Sequence, residues 1–258
     1  SEYDIQYSSF FIFSDFTNRA DWTDLRSSLL PNLNLLDTFS MANNFDPLQP
    51  ARYSEWVAEV KQGDNESRVR WLSWAAVGAV IRSGDGDENL LAFDPIKARP
   101  RFEWTGCGIK AESGEAAHKN VSARVVSGEE TPCIVVEGNI TEGEINSVGL
   151  NGLVELESES PNRIVLSSIS RTDGWILIRD TWYPGWKVKI NGISTQLYRA
   201  EYLFKAVPVS AGNHRIELEY APDLYYFGLT ISVIAWLIFC VTWIVVQRRN
   251  PRGNAPNA

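Results

Sequence analysis

Residues 174–222 read GWILIRDTWYPGWKVKINGISTQLYRAEYLFKAVPVSAGNHRIELEYAP, and several runs within them alternate with a period of two. In Trp186–Ile190 the apolar residues alternate with two lysines, and the following Asn191-Gly192 pair favours a two-residue hairpin turn. The alternation returns in Arg215–Tyr220, whereas Gly174–Ile178 is apolar on both faces and therefore predicts a central strand. We expect these short antiparallel strands to form a β-sandwich.

The residues before this stretch carry a different pattern. Ser8–Phe13 is strand-like, Pro50–Val60 has helical spacing with proline at its start, and Val69–Ile81 predicts a short helix that runs into a buried strand. From about residue 106 to 222, turn residues crowd between strand-like runs, so we expect an all-β region there. The predicted class is α+β, in which an N-terminal α/β-like region (1–105) is followed by an antiparallel β-sandwich domain (106–224) and one C-terminal transmembrane helix.

The C-terminal part contains an apolar run, Phe227–Val246, which has no charged residue over twenty positions. At a rise of about 1.5 Å per residue this length matches a hydrocarbon core of about 30 Å. A buried helix of a soluble domain is the alternative, but such a helix rarely lacks a polar face. We therefore expect a transmembrane helix (225–247), a single pass through the cell membrane and contact with the lipid bilayer.

The residues on either side of this run predict its direction. The Tyr225-Tyr226 pair precedes the run and forms an aromatic belt, while Arg248, Arg249 and Arg252 supply positive charge after it. We therefore expect a cytoplasmic tail (248–258) and an extracytoplasmic N-terminal part. Since the chain begins with Ser1 and shows no signal peptide, we expect either a removed leader or upstream helices of a multi-span protein.

The charge balance limits the choice of partner. The three arginines of the tail are the only charged residues after Tyr226, so the part before the apolar run carries a net charge of −11 against −8 for the whole chain. Because binding a phosphate backbone needs a cationic face, we expect no nucleic-acid partner. Ten Trp and nine Tyr are many for this length, and such side chains suit β-sheet surfaces, sugar platforms and membrane interfaces.

Three cysteines are too few for a disulfide scaffold. Cys240 lies inside the apolar run and cannot meet the other two. Cys107 and Cys133 both lie in strand-like stretches of a part expected in an oxidising compartment, so they either pair as a disulfide or remain two small buried thiols.

The last strands resemble the C-terminal region of the YfhO-like family of bacterial membrane proteins. The resemblance rests on WYPGW (Trp182–Trp186), the Asn191-Gly192 hairpin, and LYRAEYLFKAVPVSAGNHRIELEYAP (Leu197–Pro222) directly before the apolar run. Upstream, FDPLQPARY (Phe45–Tyr53) is similar to a YDPL-P-RY stretch of the family, whereas Arg99–Phe102 lacks the alanine of the family's PRA segment.

This resemblance implies a function for a parent protein. The family looks like GT-C-type glycosyltransferases, which take a sugar from a polyprenyl-phosphate carrier and transfer it outside the membrane. Such enzymes keep their catalytic carboxylate near their first membrane helices, so the resemblance places no catalytic residue on this chain. It implies as partners a polyprenyl-phosphate sugar or an envelope glycan, together with other membrane subunits.

The polar and aromatic residues of the matching stretches are the candidates for ligand contacts. They comprise Asp46, Arg52, Tyr53, Trp182, Tyr183 and Trp186. A structural role is the alternative for each group. An Asp before Pro can form a turn at a helix start, and Pro184 with Gly185 can form a corner covered by the two tryptophans.

Other chemistry finds little support in the sequence. With only His118 and His214 there is little material for a triad or a His-rich metal site, and we expect His214 to be a hydrogen-bonding edge residue. Asp85, Asp87 and Asn89 resemble the start of a calcium loop, but Leu90 and Ile96 stand where Gly and Glu are required. We therefore predict no catalytic residue, no metal site and no cofactor.

Two functional hypotheses follow. The first is an accessory or acceptor-binding extracytoplasmic domain, with the last membrane helix, of a lipid-linked-sugar glycosyltransferase. The second is a non-enzymatic single-span subunit whose β-domain binds a partner protein or an envelope glycan in a membrane complex.

Overall fold

The computed structural model describes residues 11–12, 17–18, 42, 50–84, 87–129, 131–138, 140 and 152–249. The elements, in chain order, are β1 (Phe11–Ile12), β2 (Thr17–Asn18), α1 (Ala51–Gln62), α2 (Asn65–Trp74), β3 (Ala79–Gly84), β4 (Asp87–Pro95), β5 (Phe102–Thr105), β6 (Cys107–Ala111), α3 (Gly114–Ser127), β7 (Cys133–Glu137), β8 (Gly152–Ser160), β9 (Arg163–Ser170), β10 (Gly174–Ile178), β11 (Trp186–Ile190), β12 (Ile193–Thr195), β13 (Tyr198–Ala200), β14 (Phe204–Val209), β15 (Gly212–Tyr220) and α4 (Asp223–Arg249). Most of the predicted Ser8–Phe13 strand lies outside the described residues.

Two sheets form the β-structure. The first has six strands in the order β5-β10-β14-β13-β7-β6, and the second has five in the order β12-β11-β15-β9-β8. All neighbouring strands in them pair antiparallel except β6 and β7, which pair in parallel. Strands β3 and β4 form a separate hairpin, in which Val80 is exposed, so the strand predicted there is not wholly buried.

An apolar core lies between the two sheets. It draws on alternate residues of β9, β11 and β15 from one sheet and of β5, β10 and β14 from the other, including Leu166, Ile176 and Ile216. As the sequence predicted, all five residues of Gly174–Ile178 are buried, and β10 lies between β5 and β14. The sandwich therefore follows from the period-two pattern.

The opposite face of the six-stranded sheet is covered by helices. Trp56 of α1, Trp71 and Trp74 of α2, and Val121 of α3 share a second core with the buried face of this sheet. The six-stranded sheet is thus the middle layer, with a second sheet on one side and three helices on the other.

Helix α3 corrects the prediction of an all-β region between residues 106 and 222. Ser113 caps its start by accepting a hydrogen bond from the Ala116 N–H, and its buried face is Ala117, Val121 and Val125, at spacings of four residues. Only these three of its fourteen residues are buried, so the apolar signal is weak beside the charged residues around it. The helix connects β6 to β7, and such a crossover permits their parallel pairing.

The predicted hairpin and the predicted apolar helix are both present. Asn191 and Gly192 have φ values of 51° and 82°, as a type I′ turn requires, and they join β11 to β12. Helix α4 spans 27 residues, has a mean hydropathy of 2.5 in its most apolar window, and is not buried against the rest of the chain. The predicted α+β class with one candidate membrane span is therefore confirmed.

Candidate functional site

The segment Thr181–Trp186, here called the corner, carries the chain from the first sheet to the second. The Trp182 N–H donates to the Leu203 carbonyl at 2.7 Å, and the Gly185 carbonyl accepts from the Ala221 N–H at 2.8 Å. Gly185 has a φ of 106°, and a Cβ there would lie 3.0 Å from both Pro222 and Tyr220. The corner therefore needs glycine at this position for two reasons, its backbone conformation and the lack of space.

The three aromatic residues of the corner point to different surroundings. Trp182 lies beneath the Arg199 guanidinium, whose carbon is 4.0 Å from the ring centroid. Tyr183 is 47% exposed, and Trp186 contacts the Lys205 ammonium at 4.3 Å while packing against the core between the sheets. These residues do not form one aromatic platform, and of the three only Trp182 lines the two clefts that border Arg199.

Two adjoining clefts share Trp182 and Arg199 as lining residues. The larger has a volume of about 580 Å³ and also meets Ser113, Glu137 and Tyr198. The smaller, about 160 Å³, is bordered by the start of α1 and by Tyr202. The clefts therefore lie where α1, the start of α3, the end of β7, β13 and the corner come together.

A two-point ion pair forms one wall of this region. Arg52 Nη1 and Nη2 donate to the two carboxylate oxygens of Glu137, the second at 3.0 Å, and Nη1 also donates to the Tyr202 carbonyl at 2.7 Å. The guanidinium carbon lies 4.5 Å from the centroid of the Tyr202 ring. Such planar, bidentate geometry suits arginine and neutralises the Glu137 charge.

Arg199 differs from Arg52 in its hydrogen bonding. Its Nη1 lies 4.0 Å from Glu137 Oε2, and within the part of the chain that the structure describes its guanidinium donates no hydrogen bond. Burial lowers the pKa of Arg199, the neighbouring Arg52 charge lowers it further, and Glu137 raises it in part. Arg52 already neutralises Glu137, and Glu112, the other carboxylate that lines the larger cleft, lies 2.9 Å from the Lys110 ammonium. The cleft therefore keeps the positive charge of Arg199, whose N–H donors are available to a ligand.

A buried turn holds this arginine in place. Glu201 and Tyr202 have φ values of 48° and 64°, in the left-handed region that non-glycine residues rarely adopt. The buried Glu201 carboxylate accepts hydrogen bonds from Arg124 at 2.7 Å, from the Trp74 indole at 2.9 Å and from the Val135 N–H at 2.7 Å. These bonds stabilise the strained turn between Arg199 and the next strand.

The structure separates the six residues predicted to contact a ligand. Arg52 and Trp182 both line the smaller cleft. Tyr53 instead donates to the Ala42 carbonyl and packs its ring against Trp56 at 5.5 Å. Tyr183 and Trp186 line neither of the two clefts, and Asp46 lies outside the described residues.

Among the residues that line the clefts, sequence reasoning missed Ser113, Glu137, Tyr198, Arg199 and Tyr202 as candidates for ligand contacts. Three of them stand in the LYRAEY run, which carried the family resemblance but was interpreted only as strand. Glu137 had no such signal, because it follows an apolar strand like many surface carboxylates.

His214 hydrogen-bonds within a turn and is not placed to act as a base. The Asn191 side-chain oxygen Oδ1 accepts from the Arg215 backbone N–H at 2.8 Å, so the Asn191 side-chain nitrogen Nδ2 faces His214 Nδ1 at 3.0 Å. His214 Nδ1 is therefore an acceptor, and in the neutral ring Nε2 carries the proton and donates to the Ser210 carbonyl at 3.1 Å. A protonated Nε2 cannot take the proton of the nearby Ser210 hydroxyl.

The two cysteines of the first sheet and the acidic residues that resemble a calcium loop are not among the described residues that line the clefts. Cys107 and Cys133 are opposite each other in β6 and β7 and are joined by a disulfide, with their Cα atoms 4.4 Å apart. Among the described residues no group of three or more His, Cys, Asp or Glu side chains is arranged to hold a metal ion. Asp85 lies outside the described residues, as do the side chains of Asp87 and Asn89.

Comparison with known proteins bears on the corner, the last strands and the base of α4. Residues 160–232 match the family model described as bacterial membrane protein YfhO. An uncharacterized protein YfhO of Bacillus subtilis (strain 168) is 30% identical over 90 residues, which cover 35% of this chain and 10% of that relative. The aligned part thus spans about a tenth of the relative's length, and no solved structure matches the chain. The resemblance to the YfhO-like family that the sequence predicted is confirmed over residues 160–232.

Proposed function

We propose that this chain is the extracytoplasmic C-terminal domain and last membrane helix of a YfhO-like protein that transfers a sugar from a lipid-linked donor, and that its domain binds the acceptor. The single observation that carries the proposal is the Trp182–Arg199 cleft. It combines an aromatic ring, a cation with available donors and a volume of about 580 Å³. That volume falls within the roughly 300–1,000 Å³ that small-molecule sites occupy.

The chemistry of the cleft suits an acidic or phosphorylated saccharide. A carboxylate or phosphate would accept hydrogen bonds from Arg199, which is held by stacking on Trp182. Tyr198 and Ser113 add hydroxyl groups along the larger cleft, where sugar hydroxyls need partners. An anionic ligand is favoured here although the domain as a whole is acidic, since the Glu137 charge is already paired with Arg52.

The reaction itself belongs elsewhere in the parent protein. None of the cleft residues is assigned a catalytic role, and in GT-C-type enzymes the catalytic carboxylate lies near the first membrane helices. The domain in this proposal positions the acceptor and does not touch the reacting bond. Its variants should accordingly change the dependence of the rate on acceptor concentration more than the maximal rate.

The test uses the parent protein in membranes of its own bacterium. Arg199→Gln should raise the KM for the acceptor by roughly 10–100-fold, the amount expected when a hydrogen bond to a charged group is lost. Trp182→Ala should also raise this KM, because the Arg199 guanidinium then loses the ring on which it stacks. The measured quantity is transfer of a radiolabelled sugar from a polyprenyl-phosphate donor to envelope glycan. Arg163→Gln, on the outer face of the second sheet, is the matched control and should transfer like the wild type.

Two results would overturn the proposal. If both cleft variants had the wild-type KM for the acceptor, the cleft would have no part in acceptor binding. Absence of transfer together with a native polypeptide near the 29.0 kDa of this chain would favour the second hypothesis, a single-span subunit, and a stoichiometric partner should then co-purify.

A further inference from the structure

The base of the apolar helix is tied to the corner at several points. The Gly185 carbonyl accepts from the Ala221 N–H at 2.8 Å, and the Lys187 ammonium lies 2.5 Å from the Asp223 carboxylate. Between them the Tyr220 ring packs against Trp186, with ring centroids 5.6 Å apart. The height of the corner relative to the start of α4 is therefore set by direct contacts and not by a loose linker.

The position of the bilayer surface follows from the helix. Asp223 is the last charged residue before the apolar run, and Leu224 directly after it is 85% exposed. A spanning helix keeps its apolar residues in lipid and its flanking tyrosines at the interface, so the surface lies within about one turn, or 5.4 Å, of Tyr225-Tyr226. Residues bonded to Ala221 and Asp223 are then at headgroup depth.

The corner presents side chains that suit this depth. Tyr183 is 47% exposed and Pro184 is also exposed, and the Tyr183 ring lies 6.3 Å from that of Tyr220. An amphipathic ring beside an exposed proline suits a membrane interface, and the exposed Lys187–Asp223 ion pair lies close to it.

We infer that Tyr183 and Pro184 rest in the headgroup layer of the phospholipid bilayer, so that the corner is a second membrane contact beside helix α4. The partner is the lipid surface on the side of the membrane that holds the domain. This contact limits tilting of the domain about the helix base. It also brings the clefts to the membrane, because Trp182 directly precedes Tyr183 and lines both clefts.

The inference is independent of sugar transfer and can be tested on the chain as it stands. In a Cys240→Ser background, single cysteines replace Tyr183, Ile193 or Leu224, and each receives a nitroxide spin label. The paired Cys107 and Cys133 do not react with the label. The proteins are placed in nanodiscs of phosphatidylcholine with a minority of phosphatidylglycerol, and collision rates with oxygen and with a water-soluble nickel complex are measured by electron paramagnetic resonance.

Labels at two reference sites give the collision rates with which the label at Tyr183 is compared. Leu224 marks the helix base, and Ile193, 74% exposed after the hairpin turn at the far end of β11, marks water. The label at Tyr183 should collide with nickel several-fold less often than the label at Ile193, while its oxygen collisions approach those at Leu224. If the circular dichroism spectrum of the Tyr183→Cys variant differs from that of the wild type, the Pro184→Cys variant is labelled instead.

Equal nickel access at Tyr183 and Ile193 would overturn the inference. Low access to both oxygen and nickel would also overturn it, because that result indicates cover by protein and not by lipid. Either outcome would leave the acceptor-binding proposal standing, since that proposal rests on the cleft residues alone.

Discussion

Replacing Lys205 by methionine should remove a pH-dependent loss of stability. Lys205 is 1% exposed, with its ammonium 4.3 Å from the centroid of the Trp186 ring and 4.0 Å from an Asp180 carboxylate oxygen. Burial lowers its pKa from 10.5 to about 8, although Asp180 raises the value and Arg101 lowers it further. A lysine in this setting is held charged at neutral pH at the expense of folding free energy.

The sign and size follow from proton linkage. Between about pH 8 and 10.5 the unfolded chain binds the proton more tightly than the folded chain, so stability rises with pH in that interval. The unfolding free energy lost through Lys205 is at its full value below the pKa of Lys205 in the folded chain. At about 1.4 kcal/mol per unit of pKa difference, this loss is roughly 3 kcal/mol at neutral pH. About 2 kcal/mol of it should be recovered between pH 7 and 9.5.

Urea unfolding followed by far-ultraviolet circular dichroism, with the chain in detergent micelles, measures this effect. The unfolding free energy of the wild type minus that of Lys205→Met should increase by about 2 kcal/mol from pH 7 to 9.5. Lys189→Met, at an exposed position of β11, is the control and should show no such trend. A difference for Lys205→Met that is constant, or that decreases with pH, would refute the reasoning.

Three further changes should lower stability, each measured as the shift in urea or thermal unfolding. Arg52→Ala should cost about 2–3 kcal/mol, because it leaves the Glu137 carboxylate partly buried without its two-point partner. Changing Cys107 and Cys133 to serine should cost roughly 3 kcal/mol, since the disulfide closes a loop with a sequence separation of 26. Gly185→Ala should cost about 1–3 kcal/mol from its φ of 106° and its lack of space.

Each of these changes has a control. Glu137→Gln added to Arg52→Ala should recover part of the loss, because no buried charge then remains unpaired. Dithiothreitol should destabilise the wild type and leave the double serine variant unchanged. Gly212→Ala, where φ is 124° but the nearest atom to a new Cβ is 3.7 Å away, should cost less than Gly185→Ala, and equal losses would argue against a clash at the corner.

The sequence predicted the structures that local periodicity controls. The β11–β12 hairpin could be predicted because Asn191-Gly192 selects its turn, and strand β10 because Gly174–Ile178 is apolar on both faces. Helix α4 could be predicted because a run of twenty uncharged, mostly apolar residues is typical of a membrane-spanning helix. Helix α3 was missed because only Ala117, Val121 and Val125 of its fourteen residues are buried, and the segment around them is rich in charged residues.

The candidate site could be predicted only in part. Arg52 and Trp182 are 130 positions apart in the sequence, and they were named through the family resemblance without any indication that they line one cleft. Arg199 and Glu137 join them because β13 pairs with β7, and that register places Arg199 opposite Glu137. No local pattern encodes a pairing between strands so distant in sequence.

The sequence by itself therefore determined the apolar helix α4, the sandwich strands and the corner, since each depends on residues that are neighbours along the chain. The tertiary structure alone decided that Arg52 neutralises Glu137, that Arg199 keeps its donors available above Trp182, and that Gly185 and Lys187 bind the base of α4. These contacts join segments that only the folded sheets bring together, and the charge and position of the cleft arise from them.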